Sequence, residues 1–306
     1  MDMTSSGEPS IRHVSDTAIW VAYYRAIESE RPDALFNDQL AKRLVGARGR
    51  KIAEHMQSTS RYTAWSVVVR THVIDNLIQR YAADGADAVV NLGAGLDTRP
   101  YRLDLPKSLR WIEVDYPEVV DHKERILAAE APKVDLRRVK LDLSDRNARR
   151  ELFVRLGAEC KSALILTEGV IPYLTEDQVA SLAEDLRAEA GFIYWIAEWF
   201  HPKLYGYLRA GRRMERLKNA PFQFLPSDWF GLLEANGWRP LEIKYLSDEG
   251  RNVMRPLPVP WLGRLLLYFA GKAAAEKRLR LTAYVVYCKG NQEPSAARTI
   301  ESTIKT

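Results

Sequence analysis

The sequence predicts an α/β fold, a seven-stranded and mostly parallel sheet preceded by a helical cap. Three observations carry that prediction. From Ala88 onward short apolar runs alternate with helical stretches, as right-handed βαβ crossovers require. The first run, Ala88–Leu92, enters a turn with glycines at 93 and 95, where backbone and ligand can approach without an intervening Cβ. The second run ends in the carboxylate of Asp115, about twenty residues farther on. An acid at that spacing meets a ribose diol at the carboxyl ends of parallel strands.

The elements follow in order. Residues 1–10 are small and polar and read as a disordered leader. Ser15-Asp16-Thr17 starts a helix whose apolar positions run from Ile19 to Ile27, and Arg31-Pro32 stops it. Leu35–Val45 reads as a second helix and Arg61–Tyr81 as a third, ended by Asp84-Gly85. Strands are expected at Ala88–Leu92, Arg110–Val114, Leu136–Leu141, Ala163–Thr167 and Phe192–Ala197. Helices at Pro117–Ala131, Arg146–Leu156 and Glu176–Glu189 separate them, the last opened by a capping box of Thr175 and Gln178. An aromatic and arginine-rich insertion from His201 to Phe224 breaks the rhythm, and a helix follows at Ser227–Asn236. Strands at Leu241–Leu246 and Leu281–Cys288, the last antiparallel, flank the proline-rich Arg255–Trp261 and a helix at Leu262–Lys277. The expected organisation is a leader and helical cap (1–85), a core (86–290) with its insertion at about 199–226, and a loose tail (291–306).

Composition narrows the class. The chain has 306 residues, 46% hydrophobic, enough for one large core without demanding two domains. Its formal charge is +5, and the basic clusters Arg48–Lys51, Arg209–Arg216 and Lys277–Arg280 are short. Nucleic-acid binding usually concentrates its charge, so these read as solvated helix surface and no nucleic-acid partner is expected. Cys160 and Cys288 stand outside any metal-ligand spacing, and no secretory pattern opens the chain; a reduced, cytoplasmic, metal-free protein is expected. The longest apolar stretch, Val259–Ala270, contains Arg264 and is too short to cross a bilayer.

The turn chemistry separates two nucleotide cofactors. A dinucleotide fingerprint wants a third glycine, and Thr98 stands there. Asp97 falls where a pyrophosphate would approach, and like charges repel in a half-buried site. S-adenosyl-L-methionine (SAM) carries no phosphate but a sulfonium, an ammonium and one carboxylate, so an acid-lined turn suits it better. An NAD-dependent oxidoreductase is the alternative, and a catalytically silent SAM-binding protein is a second.

Four motifs in order carry a family resemblance: N-L-G-A-G-L-D-T-R-P-Y-R-L, E-V-D-Y-P, L-D-L-S-D at Leu141–Asp145, and T-E-G-V-I-P-Y-L at Thr167–Leu174. Together with S-D-T-A-I-W-V-A-Y-Y-R-A-I-E-S-E-R-P-D-A-L-F-N-D near the start, they resemble the leucine carboxyl methyltransferase family, in its bacterial branch of SAM-dependent methyltransferases. The likeness covers roughly residues 11–290. It implies a class I SAM-dependent methyltransferase fold (Rossmann-like). It further implies that Arg70 meets the SAM carboxylate, Gly93 and Gly95 lie under its amino-acid moiety, Asp115 holds the ribose, Asp142 and Leu143 flank the adenine, and Glu168 favours the ammonium. Simpler roles exist, with Arg70 a surface charge and Asp115 and Asp142 helix caps. They do not explain why acids end three successive strands, at 115, 142 and 168.

Methyl transfer needs alignment and exclusion of water more than it needs acid–base groups. A carboxylate acceptor is already ionised, whereas a phenol wants a base within reach. Of the histidines at 13, 55, 72, 122 and 201, only His201 falls near the expected crevice. Catalytic residues are therefore left open, with Tyr173, Trp199 and His201 as substrate-pocket candidates. Tyr205–Tyr207 and the cap residues Trp20, Tyr23 and Tyr24 are weaker ones, and Arg99 and Arg102 face either an anionic acceptor or surface partners. The segment Pro256–Leu262 suggests a greasy pocket wall or a packing helix. The expected reaction is O-methylation of a carboxylate or hydroxyl on a small, lipophilic acceptor. The N-P-P-Y-type motif of nucleic-acid amine methylation is absent, and a protein C-terminal carboxylate has no specific support.

Overall fold

The computed structural model describes residues 14–46, 60–206 and 221–290. The leader, the tail, Arg48–Lys51, His13, His55, Tyr207 and Arg209–Arg216 lie outside the described residues.

Seven strands form one sheet in the order β3-β2-β1-β4-β5-β7-β6. They are β1 (Ala88–Leu92), β2 (Arg110–Asp115), β3 (Asp135–Lys140), β4 (Ala163–Thr167), β5 (Phe192–Phe200), β6 (Trp238–Tyr245) and β7 (Thr282–Lys289). The first five pair in parallel, and β7 runs antiparallel between β5 and β6. β1 and β4 are buried along their whole length because helices cover both faces, which is why they read as unbroken apolar runs. One core lies under the face carrying Val90, Ile165, Trp195 and Tyr287, the other under the face carrying Val89, Leu164, Ile196 and Val286.

The chain order reverses between β1 and β4, so a crevice opens at their carboxyl ends. The long helix Ser60–Ala83 packs across that region against the N-terminal helix Val14–Ser29. Its inward positions Val69, Val73, Leu77 and Ile78 join the second core. The capping box predicted at Thr175 is present, both of its hydrogen bonds formed.

Several boundaries move, each for a tertiary reason. The second helix spans 39–46 instead of 35–45, because the Asp38 carboxylate accepts the Ala41 N–H and sets the first turn there. The helix expected to reach Ala131 stops at Ile126, and the Lys133 N–H is drawn to the Pro100 carbonyl at 2.8 Å. β5 continues to Phe200 because Thr282 of β7 pairs with it there. β6 begins at Trp238, three residues early; Pro240 fits because the register shifts between Pro240 and Glu242. Leu246 opens a short helix, Leu246–Asn252, instead of closing a strand. The single helix expected at 262–277 is two, Trp261–Ala270 and Lys272–Leu279, broken at Gly271, whose φ of +78° suits glycine alone.

Candidate active site

A cavity of about 390 Å³ opens at the carboxyl ends of β1, β2, β4 and β5. That volume lies within the ~300–1,000 Å³ typical of small-molecule sites. Arg70, Gly93, Gly95, Asp115, Asp142, Leu143 and Glu168 all line it, although they come from five separate stretches of chain.

The turn after β1 is where the chain is most constrained. Gly93 sits at φ +67°, and a Cβ there would come within 2.5 Å of a Val170 methyl. Gly95 sits at φ +49°, and a Cβ there would meet that of Ala18 at 3.1 Å. The Gly95 N–H donates to the Asp115 carboxylate at 2.6 Å, and the Tyr116 N–H donates to its other oxygen at 2.7 Å. Asp115 therefore ties the glycine turn to the end of β2. It does not cap the following helix, whose first position is Pro117. Burial pushes its carboxyl above the usual range, and the two backbone N–H groups only partly offset that.

Asp142 is exposed at the cavity and accepts the Ser144 N–H at 2.8 Å. The cap of helix Arg146–Glu159 is Asp145, so Asp142 is free of that task. Leu143 lies beside it, with its carbonyl accepting from Arg149 at 2.8 Å.

Five charged side chains interlock beneath the turn. Arg99 is 2% exposed and ion-pairs with Asp75 at 2.6 Å, Asp97 at 2.9 Å and Glu168 at 2.9 Å. Arg70 ion-pairs with Glu168 through its Nε, 3.0 Å from Oε1. Burial pushes the Glu168 carboxyl up, but Arg99 and Arg70 outweigh it and hold it below the ordinary range. For Asp97 burial likewise raises, and Arg99, Lys123 and Arg25 pull it well below. Both acids are therefore ionised and locally neutralised.

That corrects two expectations. Arg99 faces neither an acceptor nor solvent; with Arg102, which reaches Asp75 at 2.6 Å, it pins the long helix to the glycine turn. Asp97 is 6% exposed and also accepts from Asn91 at 2.8 Å, so it presents no free negative charge to a phosphate. What disfavours a dinucleotide is the backbone. The turn leads into a helix of only four residues, Arg99–Arg102, in place of the long helix whose N-terminus binds a pyrophosphate. Thr98, at the third-glycine position, is fully buried with its hydroxyl donating to Asp38 at 2.6 Å.

The pocket candidates divide. Tyr173 lines the cavity, as do Trp20, Tyr62, Phe200 and Tyr284. Trp199 does not: successive side chains of a strand alternate, so Glu198 and Phe200 face the cavity while Trp199 stacks on Phe230 at 5.7 Å in the core. His201 lies outside the lining as well; its Nδ1 accepts the Lys203 N–H at 3.1 Å and caps a short turn. Tyr205 is likewise outside, its hydroxyl donating to the Pro226 carbonyl at 2.7 Å. Tyr23 and Tyr24 pack with Trp20 but do not reach the cavity. Pro256–Leu262 forms no part of the wall, and Trp261 and Leu262 are exposed.

Tyr62, Phe200 and Tyr284 were overlooked in the sequence, and so was the one buried acid of β5. Glu198 is 2% exposed; its Oε1 accepts the Val170 N–H at 3.0 Å, and its Oε2 has no hydrogen-bond partner. Burial pushes its carboxyl up to about 7. A lone acid within the apolar strand F-I-Y-W-I-A-E-W-F was the available signal. Among the described residues no cluster of histidine, cysteine and acids could hold a metal ion, and no helix is long and apolar enough to cross a membrane.

A mixed seven-stranded sheet with an antiparallel last strand and a ligand cavity at its switch point defines a class I methyltransferase fold. Solved structures agree on the fold: a protein of Thermobifida fusca provisionally named a methyltransferase (TM-score 0.53, 15% identity, 92% of this chain and 96% of that one) and a DUF574-family protein of Streptomyces avermitilis (TM-score 0.55, 14% identity, 89% and 97%). The leucine carboxyl methyltransferase family model matches residues 18–187, more than half of the chain, and the chain belongs to that family. A protein of Frankia alni, provisionally named an S-adenosyl-L-methionine-dependent methyltransferase, is 33% identical over 85% of this chain and 93% of its own length. Similarly named proteins of Streptomyces avermitilis and Streptomyces coelicolor are 32% and 36% identical over 57% and 54% of this chain. The chain spans 64% and 62% of the length of those two relatives.

Proposed function

We propose that the chain is a SAM-dependent methyltransferase acting on a carboxylate or hydroxyl oxygen of a small acceptor with an apolar body. The observation that carries this reading is one cavity lined together by Arg70, the glycine turn, the strand-end acids Asp115, Asp142 and Glu168, and the aromatic side chains Trp20, Tyr173, Phe200 and Tyr284. The donor set fits SAM. Arg70, which lines the cavity while its Nε pairs with Glu168 at 3.0 Å, would meet the carboxylate, and Glu168 the ammonium. Asp115 would take the ribose diol, and Asp142 with Leu143 the adenine. Gly93 and Gly95 hold the turn at positive φ and pack against Val170 and Ala18 where a Cβ would clash, which fixes the backbone that lines the cavity under the amino-acid moiety. When bound, SAM supplies an electrophilic methyl on a sulfonium.

The protein's own part is to orient and to exclude water. Trp20, Tyr173, Phe200 and Tyr284 offer the acceptor an apolar wall, which places its oxygen and raises every local electrostatic interaction. A carboxylate acceptor needs no base. For a hydroxyl acceptor, Glu198 Oε2 is the group positioned to receive the proton, its affinity tuned near neutrality by burial.

The test is incubation of the purified chain with methyl-labelled SAM and extract of the organism that makes it. Base-labile counts identify a methyl ester, and stable counts an ether or an amine. SAM binding by calorimetry with no transfer to any acceptor pool would make the chain a silent binder. Binding of NADH without SAM would overturn the reading altogether.

A further inference from the structure

We infer that the helix Trp261–Ala270 is an interfacial anchor that seats the protein on an anionic lipid surface. Its large side chains point outward: Trp261 is 71% exposed, Leu262 57%, Leu265 47%, Tyr268 80% and Phe269 76%. At 100° per residue these five fall within an arc of roughly 120°, one continuous stripe on the helix. Nothing among the described residues covers it, which is unusual for so many adjacent apolar side chains. Ten residues make a helix only ~15 Å long, half of what a bilayer crossing needs, so it lies in the interface.

The charge around the stripe selects the occupant. Residues 261–280 carry five cations (Arg264, Lys272, Lys277, Arg278 and Arg280) against one acid, Glu276. This is a net +4 in a chain whose total is +5. Glu276 is itself paired with Arg251 at 2.5 Å, and Arg280 with Asp248 at 2.7 Å. Arg264, Lys272, Lys277 and Arg278 are exposed. Leucine and aromatic residues on one face with lysine and arginine alongside is the composition of helices that lie in a lipid headgroup layer. A second copy of the chain fits poorly, since a symmetric contact through this face would set one cationic segment against another. The segment is also bracketed by the cavity: Leu246 before it and Thr282 after it both line the site. None of this depends on the methyltransferase reading.

The experiment is co-sedimentation of the full chain with vesicles of phosphatidylcholine alone and of phosphatidylcholine with phosphatidylglycerol in equal parts. The expected result is pelleting with the anionic vesicles, little with the neutral ones, and release at high salt. The pair W261A/F269A and the pair K272E/R278E should each weaken binding at least tenfold, with circular dichroism melting unchanged because all four residues are exposed. Three results would each overturn the inference. These are no binding to the anionic vesicles, binding insensitive to both pairs, or a stable dimer in light scattering that either pair dissolves.

Discussion

Asp115, Arg70 and Glu198 show how differently a charged side chain can be placed at one cavity. Asp115 already accepts two backbone N–H groups, yet it lines the cavity. A charge-assisted hydrogen bond in such a setting is worth about 1.5–3 kcal/mol, so Asp115→Ala should weaken SAM binding about tenfold or more by calorimetry. An unchanged Kd removes the ribose assignment. Arg70→Ala should weaken SAM but leave 5′-methylthioadenosine, which lacks the carboxylate, almost unaffected; equal losses would make Arg70 purely structural. Glu198 predicts a pH dependence. Its folded carboxyl is raised to about 7 from an ordinary 4.5. It therefore favours the folded state fully below pH 4.5 and loses that advantage as pH rises through 7. Glu198→Gln keeps an acceptor for the Val170 N–H and removes the buried charge. Thermal melts should find the variant more stable than wild type at pH 8 by about 1–3 kcal/mol, and little different at pH 5. The same or a lower melting temperature at pH 8 would show that Glu198 is not a buried, charge-averse acid.

At the scale of elements, the loop after β3 separates two acids three residues apart. Asp145 accepts the Ala148 N–H at 3.1 Å and caps its helix, whereas Asp142 faces the cavity. Asp145→Ala should cost about 1 kcal/mol of stability and spare SAM affinity. Asp142→Ala should reverse that pattern, losing affinity with little change in melting. If both lose stability alone, the adenine assignment to this loop fails. The long helix Ser60–Ala83 is more than a cover: Asp75 anchors it to Arg99 and Arg102, and that anchoring sets Arg70 at the cavity about one and a half turns earlier.

For the whole molecule, a ligand that binds only the folded chain stabilises it by mass action, about 2.7 kcal/mol at a hundredfold excess over Kd. SAM at that concentration should raise the melting temperature by several degrees, and NADH should not. A shift with NADH alone would mean that the four-residue helix after the turn does not, after all, discourage a diphosphate.

The architecture was legible because its causes are local. Apolar runs of five residues, punctuating glycines and a capping box at Thr175 report backbone geometry directly. The acids at 115, 142 and 168 were legible for the same reason: parallel strands end on one edge, so residues that close them converge. Charge pairing was not legible. Asp97 read as a charge facing a phosphate and Arg99 as facing an acceptor or surface partners; only packing showed that they pair with each other and that Arg99 also pairs with Glu168, 69 residues away. Trp199 and His201 missed the cavity because β5 runs on to Phe200 under its pairing with β7, a partner some 80 residues later that sets the alternation of faces. By itself the sequence determined the succession of strands, the glycine turn and the strand-end acids, all consequences of steric and hydrophobic patterning over a few residues. Only the tertiary structure decided which charges remain available, that Glu198 is buried with an unpaired oxygen, and that the helix Trp261–Ala270 turns its apolar stripe outward, because burial and ion pairing depend on segments far apart in the chain.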